Sequence, residues 1–178
     1  MGDSISAGYG VALDNGWVAR LRERLAAEGY RHEVVNASVS GDTTSGGLAR
    51  LPQALARHAP EIVLIELGGN DGLRGLSLDA MRANLGAMVD RSREAEARVL
   101  LMGIRLPPNY GPAYIERFVD VYRDVATERE VALVPRVLEG VGEREALMQA
   151  DGIHPNARGH ARILENIWPV LEPLLRGS

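Results

Sequence analysis

Ser4 stands between an acidic neighbour and small residues in the opening run Met1-Gly2-Asp3-Ser4-Ile5-Ser6-Ala7-Gly8-Tyr9-Gly10, whose glycines at 2, 8 and 10 admit a tight backbone path. A serine hydroxyl becomes a useful nucleophile only when a base removes its proton, and that base must be held in one tautomer by an acceptor on its far ring nitrogen. Asp151-Gly152-Ile153-His154-Pro155 can supply base and orienting acid from a single turn, with Gly152 bending the chain and Pro155 biasing His154 towards an extended backbone. His160, six residues on, is a rival base, but no acid stands three residues before it. Acyl transfer also places negative charge on a carbonyl oxygen, which calls for hydrogen-bond donors fixed beforehand. Ser40-Gly41-Asp42 and Gly68-Gly69-Asn70-Asp71 offer such donors in the Gly41 N–H and the Asn70 amide, to which the Ser4 N–H can be added. Taken singly, each stretch is equally at home as a turn or a strand-to-helix loop, so from these residues alone both readings stay open.

Taken together, four blocks resemble those of the SGNH (GDSL-type) hydrolases: Gly2-Asp3-Ser4-Ile5-Ser6, Asn36-Ala37-Ser38-Val39-Ser40-Gly41-Asp42-Thr43, Glu66-Leu67-Gly68-Gly69-Asn70-Asp71-Gly72-Leu73-Arg74-Gly75 and Asp151-Gly152-Ile153-His154-Pro155-Asn156. They follow that superfamily's order and spacing over nearly the whole chain. The second and third are most similar to the bacterial multifunctional acyl-CoA thioesterase/lysophospholipase/arylesterase group. The resemblance implies Ser4 as nucleophile, Asp151 and His154 completing a triad, and the Ser4 N–H, Gly41 and Asn70 as the oxyanion hole. It implies a three-layer α/β/α, flavodoxin-like parallel sheet. The implied activity is cleavage of acyl esters, lysophospholipids or acyl-CoA with no cofactor and no metal. It also implies an apolar interior strand running into the Gly-Asp-Ser block; only Met1 and Gly2 precede Asp3, so the sheet is expected to lack its usual first strand, and an inactive truncated hydrolase is one alternative. Leu73, Leu76, Ile104, Leu106, Pro107 and Ile153 lie beside the blocks and are candidates for an acyl groove, as corresponding loops are in relatives, or for plain core packing. Arg74 and Arg105 are candidates for a polar head group.

These blocks need elements to carry them. Trp17, Leu21 and Leu25 at intervals of four predict a helix from Asn15 or Gly16 to Glu28, stopped by Gly29. His32 to Ala37 reads as a short strand because Val34 and Val35 are β-branched. A helix capped by Thr43 or Thr44 runs towards His58, with a kink or restart expected at Pro52. Ile62 to Leu67, interrupted only by Glu66, and Arg98 to Ile104 have the near-continuous apolar character of strands covered on both faces. Helices are predicted over 77–95 and 114–129, a last strand over 131–134, a short helix near 143–149, and a closing helix from Asn156 made less regular by Pro169 and Pro173. Strands alternating with helices make a parallel sheet, whose ligands gather at the carboxyl ends of the strands. Three of the four blocks follow predicted strands.

Composition narrows the chemistry. At 178 residues and 46% hydrophobic, one domain spanning 1–178 is expected. The 20 basic residues, set against 24 acidic ones, are all Arg, so no lysine exists for a Schiff base or a phosphate loop. No basic block marks a nucleic-acid partner, and the absence of cysteine removes thiol catalysis, Cys-ligated zinc and disulfides. No apolar run approaches the ~20 residues of a spanning helix. A monomer acting on a small acyl ester or thioester is expected, cytoplasmic as written or exported if a leader precedes it. The rival from another class, a flavodoxin-like binding module, shares the layered architecture but lacks a phosphate-cradling glycine motif.

Overall fold

The computed structural model describes residues 1–177. Its sheet has three parallel strands in spatial order β1-β2-β3: β1 (Ile62–Ile65), β2 (Arg98–Met102) and β3 (Ala132–Val134). Ile62 pairs with Arg98 and Ile65 with Leu101, while Leu100 pairs with Ala132 and Met102 with Val134. Successive strand side chains point to opposite faces, and two cores follow from that alternation. Val63, Ile65, Val99 and Leu101 pack on α3 (Thr44–His58), α5 (Leu78–Glu94) and α6 (Pro112–Glu128). Leu100, Met102 and Val134 pack on α2 (Trp17–Ala27) and α7 (Ala157–Arg176). The predicted α/β layering with a parallel sheet is borne out.

Local deviations from the sequence pattern have physical causes. α3 does not restart at Pro52 but runs unbroken through it: the carbonyl of Leu48, which the proline ring deprives of an N–H partner, faces the Arg91 guanidinium at 3.5 Å. Residues 32–37 form no strand. A β-branched pair needs a neighbour to ladder with, and a groove of about 520 Å³, lined by Leu21, Leu25, Val34, Leu55 and Leu64 among others, separates this segment from β1. On that side β1 is met by Met1, whose terminal amine donates to the Leu64 carbonyl at 2.9 Å, and by Gly2, which bridges Glu66 in parallel. Two short helices lie where turns were expected, α1 (Ser4–Ala7) and α4 (Gly69–Leu73). No described helix is long and apolar enough to cross a membrane.

Candidate active site

Gly2 fits where it does because a Cβ would lie 2.6 Å from the Ser6 Cβ and 2.9 Å from the Ser38 hydroxyl. Asp3 caps α1, its Oδ1 accepting from the Ile5 N–H at 3.0 Å, and Gly8 closes the turn in the left-handed region. Ser4 is therefore the first residue of a one-turn helix. Its N–H, like that of Gly41, has no acceptor among the described residues.

The turn carrying His154 is held by one carboxylate. Asp151 Oδ1 accepts from the backbone N–H groups of Ile153 (2.9 Å) and His154 (3.0 Å), while Oδ2 lies 2.6 Å from His154 Nδ1. The His154 N–H, its ring and the Ile153 N–H together pull the Asp151 pKa down to about 2, so the acid is ionised throughout the neutral range. Gly152 takes φ +67° to make the bend. At the far side of the ring, His154 Nε2 lies 2.9 Å from Ser4 Oγ, across 150 residues of sequence. The Tyr9 ring packs beside the imidazole, centroids 4.6 Å apart.

The loops after β1 and before α3 meet the first block through Asn70. Its Nδ2 donates to Asp3 Oδ2 at 3.1 Å and to the Asp42 carbonyl at 2.9 Å. An amide nitrogen carries two hydrogens. Both are committed in this geometry, a fact that the residue type alone did not reveal. Gly41, at φ +79°, has its carbonyl held by Arg74 Nη2 at 2.8 Å, so one donor of Arg74 braces the protein's own loop. Asp71, buried, accepts from the Thr44 N–H and hydroxyl at 2.9 and 2.6 Å and locks α4 to the start of α3.

Two buried carboxylates underlie the serine. Glu66 is 1% exposed and accepts from the Ser6 hydroxyl (2.6 Å) and the Asp3 N–H (3.4 Å), with its other oxygen unpartnered. Burial, then the neighbouring Asp3, push its pKa well above the usual carboxylate range. Burial likewise raises Asp3 to about 6, against the Ile5 N–H and the His154 charge, which favour its ionised form. The interruption that Glu66 makes in its apolar strand thus has a local purpose: it braces α1 from below.

The candidate groove residues differ in burial and in the core they join. Ile104 and Leu106 are buried, 5% and 4% exposed, in the cores on opposite faces of the sheet. Leu73 packs partly against the core, and Pro107 is half-buried. Leu76 and Ile153 remain exposed. The rival base His160 is buried, accepts the Trp17 N–H at 3.3 Å, and is depressed to about 4 by burial and then by Arg20. It is a neutral acceptor tying α7 to α2. Among the described residues, no group of three or more His, Cys, Asp or Glu is placed to hold a metal ion.

Comparison with known proteins places the chain among named relatives. Residues 1–162 match the GDSL-like lipase/acylhydrolase family. The chain is 58% identical over 175 residues to Esterase TesA of Pseudomonas aeruginosa, covering 98% of this chain and 87% of that one. It is 43% identical over 175 residues to thioesterase 1/protease 1/lysophospholipase L1 of Escherichia coli, covering 98% and 83%. Among solved structures, the psychrotrophic esterase EstA from Pseudoalteromonas sp., inhibited by monoethylphosphonate, superposes with a TM-score of 0.93 at 37% identity, covering 99% of this chain and 96% of that one.

Proposed function

The chain belongs to the GDSL-like lipase/acylhydrolase family, and from that premise we propose that its cleavage of carboxylic esters or thioesters runs through an acyl-enzyme on Ser4. The observation that carries the proposal is the 2.9 Å separation between His154 Nε2 and Ser4 Oγ, with Asp151 at 2.6 Å from the opposite ring nitrogen. Ser4 Oγ attacks the carbonyl carbon as its proton passes to Nε2; the Nδ1–H stays with Asp151 Oδ2, which stabilises the imidazolium. The free N–H groups of Ser4 and Gly41 are the oxyanion donors at hand. Asn70 joins them by exchanging one of its two present acceptors for the oxyanion. Collapse expels the alcohol or thiol with the proton from His154, and water then repeats the cycle on the acyl-enzyme. Inhibition of a structural relative by a phosphonate supports a serine nucleophile here as well.

A fluorophosphonate probe tests this directly. The expected adduct maps by mass to the peptide containing Ser4, disappears in Ser4→Ala, and forms far more slowly in His154→Ala. Folded protein that stays unlabelled, or that labels elsewhere, overturns the assignment.

A further inference from the structure

Gln149 has no role in the acyl-transfer steps, yet it touches both halves of the site. Its Nε2 donates to the Tyr9 carbonyl at 2.8 Å and to the Pro155 carbonyl at 2.9 Å. Two carbonyl acceptors require two N–H donors, which fixes the orientation of the carboxamide. The Gln149 backbone grips the same turn, its N–H donating to the His154 carbonyl at 2.8 Å and its carbonyl accepting from Gly152 at 3.0 Å. The first loop is shaped to receive this side chain: at Gly10, φ +74°, any Cβ would overlap the Gln149 amide oxygen. One half-buried amide thus bridges the segment that follows Ser4 and the segment that carries His154, 140 residues apart.

We propose that Gln149 is a positioning residue for the hydrolytic reaction: by pinning Tyr9 to Pro155 it sets the Ser4–His154 distance and holds the Tyr9 ring against the imidazole. The inference rests on His154 acting as the base. The two carbonyls that the carboxamide holds belong to the two loops that carry Ser4 and His154, so its loss loosens one loop against the other. A displacement of about 1 Å at the reacting atoms is enough to cost ~10²-fold in rate.

The test uses Gln149→Met, which keeps the length but cannot donate, and Gly10→Ala, which expels the carboxamide from the opposite side. Burst kinetics on a p-nitrophenyl ester should show acylation slowed by ~10–10²-fold in each, with KM within about threefold of the parent. Because both break one contact, the double variant should be no slower than the worse single. A purely structural staple would lower the melting temperature while leaving kcat of the folded protein alone. Acylation within twofold of the parent in folded Gln149→Met, or multiplying losses in the double variant, refutes the proposal. If His154→Ala keeps parental activity, the underlying base assignment has failed instead. Should Gln149→Met not fold, Gly10→Ala alone decides, by the same acylation and KM criteria.

Discussion

Replacing Asp151 by Asn separates the two duties of that carboxylate. Oδ1 carries two backbone N–H groups and Oδ2 faces the imidazole Nδ1. An asparagine can keep the first duty by placing its amide oxygen at Oδ1, because the opposite orientation would set an NH₂ against two N–H donors. That choice leaves the amide nitrogen 2.6 Å from where Nδ1 now sits, so Nδ1 must become the acceptor and Nε2 must hold the proton. A protonated Nε2 points at Ser4 Oγ with nothing to accept with. The turn survives; the base does not. By analogy with the Ser-His-Asp template, kcat should fall ~10⁴-fold, about 5.5 kcal/mol in the barrier, while the melting temperature stays near the parental one. Asp151→Ala removes all three bonds and should lower both. Pre-steady-state acylation by a p-nitrophenyl ester, measured beside thermal melts of both variants, reads the two effects apart. Acylation within tenfold of the parent in folded Asp151→Asn would refute the idea that this acid sets the tautomer.

Loss of the Asn70 amide should cost ~10²–10³ in kcat with little change in KM if it serves the oxyanion; steady-state kinetics of Asn70→Ala in which KM rises and kcat holds would reduce it to a loop tie between Asp3 and Asp42. Asp3 makes a pH prediction of definite sign. Its pKa is raised on folding from 3.8 to about 6, so the stability it contributes is fully present below pH 3.8 and is lost as pH rises through about 6, a swing on the order of 3 kcal/mol. Glu66, displaced in the same direction, adds to it. Denaturant melts from pH 4 to 8 should therefore show a shallower pH dependence for Asp3→Asn than for the parent; parallel curves would mean that Asp3 is not the titrating group.

What the sequence disclosed was whatever depends on neighbours in the chain. The α5 stripe of Leu78, Met81, Leu85, Met88 and Val89 is buried as its three- and four-residue spacing requires. Asp151 and His154 were legible because an acid three residues before an imidazole can reach it within one turn. The parts that the sequence leaves open depend on partners remote in the chain. Val34 and Val35 carry strand propensity, but a ladder needs a second strand beside it. Pro52 carries a helix-breaking ring, but Arg91 faces the carbonyl that it leaves. Ile104 and Leu106, two residues apart and next to the site blocks, end in different cores because the chain has already left β2 at Met102.

The site divides along the same line. Residue type can nominate a nucleophile, a base and a donor, since those are properties of single side chains. Whether a donor is available is a property of everything around it. Asn70 is the instructive case: its amide was nominated as an oxyanion donor, yet its two hydrogens already serve acceptors 67 and 28 residues away. A bond to a carboxylate is roughly twice as strong as one to a neutral carbonyl. If Asn70 serves the oxyanion, the Asp42 carbonyl is therefore the acceptor that yields to it while Asp3 is ionised. Once Asp3 takes up its proton near pH 6, that preference weakens. The Asp3→Asn variant, whose side chain stays neutral at every pH, removes that preference at a stroke and leaves the Asn70 amide two neutral acceptors to choose between.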